Sequence, residues 1–190
     1  MAIELECKIS LTAEAAAQLR ARLTVIGAKF HGEEFEQNWV FDRGGELLAR
    51  RETLRVRVNN HRESGLLTHK RPLVATDERY KSREEIETQV ENAANVRAIL
   101  QTLGYAPSWY YEKRRQTWRD ENFCIVLDTL PEIGIFVEIE APDEAGLSAI
   151  LDRLHLDRAA SKNLSYAEWW RQHCKTERGE PMRECKFAAI

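Results

Sequence analysis

The segment Ile3-Glu4-Leu5-Glu6-Cys7-Lys8-Ile9 constrains this chain more than any other. In an extended strand alternate side chains share a face, so Glu4, Glu6 and Lys8 point one way and Ile3, Leu5, Cys7 and Ile9 the other. Later segments repeat the alternation. Arg55 and Arg57 lie opposite Leu54, Val56 and Val58; Lys70 shares a side with Thr68; Arg83, Glu85 and Glu87 lie opposite Ile86. Lys113 and Arg115 come next, then Asp128 opposite Leu127, and Glu138 and Glu140 opposite Val137 and Ile139. The chain is therefore predicted to build a sheet with one apolar and one ionic face.

The ionic face can be read in two ways. One such strand, taken alone, belongs on a solvated surface. Three features point inward instead. Amphipathic helices are available to cover the apolar face. The charged positions include few neutral residues. Finally, cations recur at i, i+2 on one face, where like charges repel unless an anion or carboxylates compensate. An eight-stranded barrel has room for one small ligand. With the charges inward, Arg55, Arg57, Lys70, Lys113 and Arg115 would hold phosphate oxygens, Arg in bidentate fashion and Lys as a point charge. Clustered carboxylates would hold a hard divalent cation through oxygen.

Punctuation along the chain fits such a barrel. Thr12 caps a helix with Ala16, Leu19, Leu23 and Ile26 on one face, and Gly27 ends it. Strands are predicted at 3–9, 34–42, 53–59, 66–71, 82–90, 110–119, 122–129 and 135–140, with a mobile loop over 73–82. Asn92 caps a second helix with Val96, Ile99, Leu100 and Leu103 aligned, Pro142 and Asp143 open a third, and Ser165-x-x-Glu168 is a capping box for a short fourth. Short connections favour antiparallel pairing. The expected architecture is α+β: an eight-stranded antiparallel β-barrel or tunnel with helices packed outside. Residues 1–174 read as one domain and 175–190 as a flexible tail.

Composition excludes several classes. With 28 basic and 31 acidic residues the net charge is −3, so the chain is no general nucleic-acid binder. No apolar run approaches the roughly 20 residues that span a membrane. The four cysteines are widely spaced, none in C-x-x-C, and read as reduced thiols of a cytoplasmic protein. No P-loop, G-x-S-x-G or H-E-x-x-H motif occurs.

The ordered set Glu4-x-Glu6-x-Lys8, Arg55-x-Arg57, Lys70, Glu85-x-Glu87, Lys113-x-Arg115, Asp128 and Glu138-x-Glu140 resembles the CYTH superfamily, the triphosphate tunnel metalloenzymes. The likeness spans roughly residues 1–170 and is strongest to the class IV adenylyl cyclase branch. It implies Mg²⁺ or Mn²⁺ on Glu4, Glu6, Glu138 and Glu140. It implies triphosphate binding by Lys8, Arg55, Arg57, Lys70, Arg83, Lys113 and Arg115, with Lys162 closing one tunnel end. Lys8, Glu85, Glu87 and Asp128 are the implied catalytic group. The implied reaction is ATP to cyclic AMP and pyrophosphate. The same motif set serves hydrolysis of tripolyphosphate, thiamine triphosphate or a nucleoside triphosphate, and a third option is a non-catalytic polyphosphate or nucleotide sensor. The implied partner is a nucleoside, organic or inorganic triphosphate. Homodimers are common among such proteins, but no self-complementary patch is legible here.

Overall fold

The alternating segments become strands, and the strands close into a ring. The computed structural model describes residues 2–72, 81–120, 123–162, 164–176, 178–180 and 183–188, without the side chains of 2–4, 81 and 82. The strands are β1 (Ala2–Leu11), β2 (Lys29–Asp42), β3 (Thr53–Asn59), β4 (Gly65–Pro72), β5 (Lys81–Val90), β6 (Ala106–Arg119), β7 (Cys124–Leu130) and β8 (Gly134–Ala141). Neighbours pair antiparallel in the order β2-β3-β4-β5-β1-β8-β7-β6, and β6 pairs back onto β2 from Lys29↔Arg119 to Asp42↔Ala106. Closure leaves no strand edge in the ring and makes one face of every strand an interior.

The helices are α1 (Ala13–Val25), α2 (Glu46–Ala49), α3 (Ala93–Thr102), α4 (Glu144–Arg153) and α5 (Tyr166–His173). Thr12 caps α1 as expected, accepting from the Ala15 amide at 3.1 Å. Ala16, Leu19 and Leu23 of α1 and Leu147, Ile150 and Leu151 of α4 bury against the outward Cys7, Ile9, Ile125, Leu127, Val137 and Ile139. This is the main core, and it fixes β1, β7 and β8 with their charged parity turned inward. On the far side Ala93 and Leu100 of α3 cover Val56 and Val58 of β3.

Several expectations need correction. The α3 stripe is narrower than its spacing implies: Ile99 and Leu103 are 57% and 61% exposed, because the helix meets the sheet through Ala93 and Leu100. The short α2 was not anticipated; Asp42 builds it by accepting from the Leu47 and Leu48 amides, both at 3.1 Å. Nor do all helices pack outside. Tyr166 and Trp170 of α5 bury against Trp109, Tyr111 and Phe136, whose strand parity is that of the interior. The stretch expected to be a loose tail contains β9 (Glu184–Cys185), paired parallel to Tyr110 and Tyr111. Cys185 is fully buried there, and the Phe187 amide donates to Glu112 at 2.9 Å. Most of the expected mobile loop, residues 73–80, lies outside the described residues. Among the described residues no helix is long and apolar enough to cross a membrane.

Candidate active site

The ring encloses a cavity of about 410 Å³. Among the described residues ten cationic and ten carboxylate side chains line it, so it has no net charge and works through the placement of its charges. Of the residues expected from sequence, Glu6, Lys8, Arg55, Arg57, Lys70, Arg83, Glu85, Glu87, Lys113, Arg115, Glu138 and Glu140 all line it.

One wall is a closed knot of ion pairs. Asp128, fully buried on β7, accepts from Lys113 at 2.9 Å and from Arg115 at 2.7 and 2.5 Å. Arg115 also reaches Glu138 at 2.6 Å, and the other Glu138 oxygen takes Lys8 at 2.8 Å. Glu36 completes the knot, with Lys113 at 3.3 Å, Arg57 at 3.6 Å and Arg115 at 3.7 Å. Burial alone would raise the pKa of Glu36, but Lys113, Arg115 and Arg57 outweigh it and hold this carboxyl well below the usual range. Glu138 is likewise depressed: burial opposes ionisation, but Lys8, Arg115 and Lys113 prevail. Burial would lower Lys8, yet Glu138 and Glu6 keep it charged.

From α5, Tyr166 donates its phenol to Asp128 at 2.8 Å and lies beneath the Lys8 ammonium, 4.1 Å from ring centroid to nitrogen. Burial and the Asp128 charge push the phenol pKa well up, so Tyr166 is a fixed donor. Its position is set by the Ser165 capping box, in which Ser165 accepts from the Glu168 amide and Glu168 from the Ser165 amide.

The opposite wall is open. Arg55 donates to the Tyr111 hydroxyl at 3.3 Å, and its buried Nε has no hydrogen-bond partner among the described residues. Lys70 pairs with Glu85 at 2.7 Å, and Glu87 accepts from Thr68 at 2.7 Å.

A third zone is acidic. Glu6 and Glu140 face each other directly across β1 and β8. Burial, then Glu138 and Glu6, raise the pKa of Glu140, because like charges on opposed strands disfavour ionisation. A divalent cation would relieve that repulsion, and an all-oxygen donor set suits a hard ion. The residues present therefore fit such an ion, although no group of three His, Cys, Asp or Glu forms a ready-made cage among the described residues. The Glu4 side chain lies outside the described residues.

Two expected residues sit elsewhere. Asp128 lies behind the lining and touches the cations instead of the cavity. Lys162 is exposed, its ammonium 4.8 Å from the Trp169 ring centroid, and it does not line the cavity. Sequence reasoning missed Glu34, Glu36, Asn38, Tyr111 and Tyr166. Glu34-x-Glu36-x-Asn38 carries the same i, i+2 signal on β2 and could have been found, whereas Tyr166 arrives by tertiary packing of a helix.

Comparison with known proteins identifies the fold and the family. A Methanocaldococcus jannaschii protein named as a putative adenylate cyclase is 26% identical over 138 residues, covering 73% of this chain and 76% of that one. The PH1819 protein of Pyrococcus horikoshii superposes with a TM-score of 0.74 at 26% identity, over 87% of this chain and 96% of that one. A Hippeastrum protein, titled a putative adenylyl cyclase with a dominant triphosphatase activity, shares the fold at TM-score 0.63 and 18% identity, over 80% and 88% of the two chains. The CYTH domain model matches residues 2–157, and the chain belongs to the CYTH domain family.

Proposed function

We propose that the protein is a divalent-metal-dependent adenylyl cyclase that draws the triphosphate of ATP into the ring and releases cyclic AMP and pyrophosphate. Family membership implies a triphosphate substrate and divalent-metal dependence. The observation that carries the reading is one cavity lined by Arg55, Arg57, Lys70, Lys113 and Arg115 together with the opposed carboxylates Glu6 and Glu140.

In this reading Arg55 and Arg57 clamp phosphate oxygens, and Lys70 gives up part of its Glu85 contact to do the same. Lys113 and Arg115, held by Asp128, present fixed positive charge to the developing negative charge. Tyr166 keeps Asp128 oriented. Arg83 meets the phosphates on the β5 side, and Glu85 and Glu87 orient the cations around them, Glu85 through its contact with Lys70. Glu6 and Glu140 would hold the ion, assisted by Glu4 and by Glu138 once it exchanges a cation partner; Mg²⁺ and Mn²⁺ both suit these oxygens. When bound, the ion neutralises phosphate charge as a Lewis acid. The ribose 3′-hydroxyl gives its proton to solvent water, its oxygen bonds to the α-phosphorus as the bond from that phosphorus to the α–β bridging oxygen breaks, and pyrophosphate departs. A cytoplasmic location accords with four unpaired cysteines.

A second reading is hydrolysis, with water attacking the γ-phosphorus and orthophosphate leaving. The dominant triphosphatase activity of the Hippeastrum neighbour motivates it, and the charged lining serves either reaction equally. Incubation with ATP and Mg²⁺ or Mn²⁺ separates the two. Cyclic AMP with equimolar pyrophosphate supports the cyclase; ADP with orthophosphate overturns it in favour of the hydrolase.

A further inference from the structure

A second cavity of about 250 Å³ lies at the β3–β4 hairpin end of the ring. It shares Glu34 and Arg57 with the larger cavity, so the two are successive segments of one lumen. The segments differ in chemistry. The larger one carries Val40, Phe41, Leu48 and Trp109 where β2 ends and β6 begins, a lining suited to an organic group. The hairpin segment is lined by Arg57, Asn59, Arg62, Ser64 and Gln89, all of which can donate hydrogen bonds, together with Glu34, Gly65 and Leu66.

Charge at the hairpin end is unbalanced toward the positive. Its one carboxylate among the described residues, Glu34, accepts from the Asn59 side-chain amide at 3.0 Å. Arg57 reaches Glu36 only at 3.6 Å, and Arg62 has no ion-pair partner among the described residues. The loop that carries Arg62 and Ser64 is built rather than loose. Asn60 and His61 take successive left-handed conformations, φ 53° and 56°, a region that Gly adopts freely and in which Asn and His are the commoner of the other residues. They are held because the Asn60 amide donates to the Phe35 carbonyl at 2.7 Å and the Phe35 amide to the Asn60 side chain at 2.9 Å. On the other side Glu63 accepts from the Asn92 side chain at 2.6 Å and, through its carbonyl, from the Ala93 amide at 2.9 Å. Gly65 lets β4 approach closely, since a Cβ there would stand 2.5 Å from the Arg57 carbonyl. Two tethers and a close approach thus fix the backbone of Arg62 and Ser64 at the end of the lumen.

We infer that the hairpin-end cavity binds an inorganic phosphate anion, pyrophosphate or orthophosphate, and is the path by which the inorganic product leaves. The binding site stands on its own geometry; its role as an exit rests on the triphosphate reading above. The substrate then lies with its organic end among Val40, Leu48 and Trp109 and its terminal phosphate toward Arg57. Bond cleavage leaves the inorganic fragment next to Arg62.

The test is calorimetric titration of the full chain with pyrophosphate and, separately, orthophosphate, comparing wild type, Arg62→Ala and Lys70→Ala. Arg62 is exposed and supports no other side chain among the described residues, so its variant reads binding and not folding. The expected result is that Arg62→Ala weakens binding of at least one anion about tenfold, the scale of one charge-assisted hydrogen bond, and that Lys70→Ala retains that binding. Whichever anion responds identifies the product that the site accommodates. Under turnover, Arg62→Ala should also raise about tenfold the concentration of that anion needed to inhibit. Equal affinity and stoichiometry in wild type and Arg62→Ala, or no binding of either anion by wild type, overturns the inference. Anion binding lost in Arg62→Ala by a protein that turns over no triphosphate would keep the site and sink the catalytic reading instead.

Discussion

Two walls of one lumen carry cations in opposite circumstances. Lys113 and Arg115 on β6 are surrounded by Asp128, Glu36 and Glu138, and Tyr166 adds a fourth hold on the same cluster. Arg55 on β3 hydrogen-bonds only a phenol among the described residues and feels Glu36 and Glu85 at longer range, and Arg57 has one distant carboxylate. The residue types are the same and the strands are alike, yet only the first set has its charge matched. Matched charge can be kept rigid in the absence of a ligand, whereas unmatched charge waits for an anion. The contrast suggests a division of labour in which β6 supplies a preorganised electrostatic wall and β3 supplies the grip.

The largest expected effect comes from breaking the matched wall. Asp128→Ala leaves two buried cations without their main partner and should cost about 3–5 kcal/mol of folding stability, read by denaturant unfolding. A loss below about 1 kcal/mol, the worth of an ordinary surface pair, would erase the distinction between the walls. Next come Arg55→Met and Arg57→Ala. Here the loss of stability should be smaller than for Asp128→Ala, since Glu36 keeps Lys113 and Arg115, while triphosphate affinity falls roughly 10- to 100-fold. Thermal melts and ATP binding measured side by side would show whether grip and fold separate this way.

The smallest effect concerns the acidic zone. Glu140 has its pKa raised in the folded protein, so protonation favours folding; its contribution is fully present below the ordinary carboxylate range and is lost as pH rises through its elevated value. Glu140→Gln should therefore flatten that decline in melting temperature and also weaken the stabilisation that Mg²⁺ or Mn²⁺ gives to wild type. A variant that melts and responds to the ions as wild type does would remove Glu140 from the cation site.

Much of this was legible because period-two alternation leaves little choice. Once Cys7 and Ile9 must bury against α1 and α4, Lys8 and Glu6 have to face the interior. The same reasoning applies to β2, where Glu34, Glu36 and Asn38 sit on the inward parity and Phe35 and Trp39 on the other. What could not be read was anything decided by a helix entering the ring. Tyr166 and Trp170 share one face of α5, but that spacing does not say which surface they meet. The destination of Lys162 was equally hidden, because an exposed lysine next to a tryptophan has no periodicity to betray it. For the C-terminal stretch, polar composition suggested disorder, and only Cys185 and Phe187 hinted that a short strand would dock.

The family match ends at residue 157, yet Tyr166, Glu168 and Arg171 help to line the lumen. A chain cut at that boundary would retain every strand of the ring and still lose the phenol that holds Asp128. During synthesis, too, the eight strands emerge before the segment that trims their interior. The barrel can assemble early, but its chemistry is finished only when the last part of the polypeptide folds back into it.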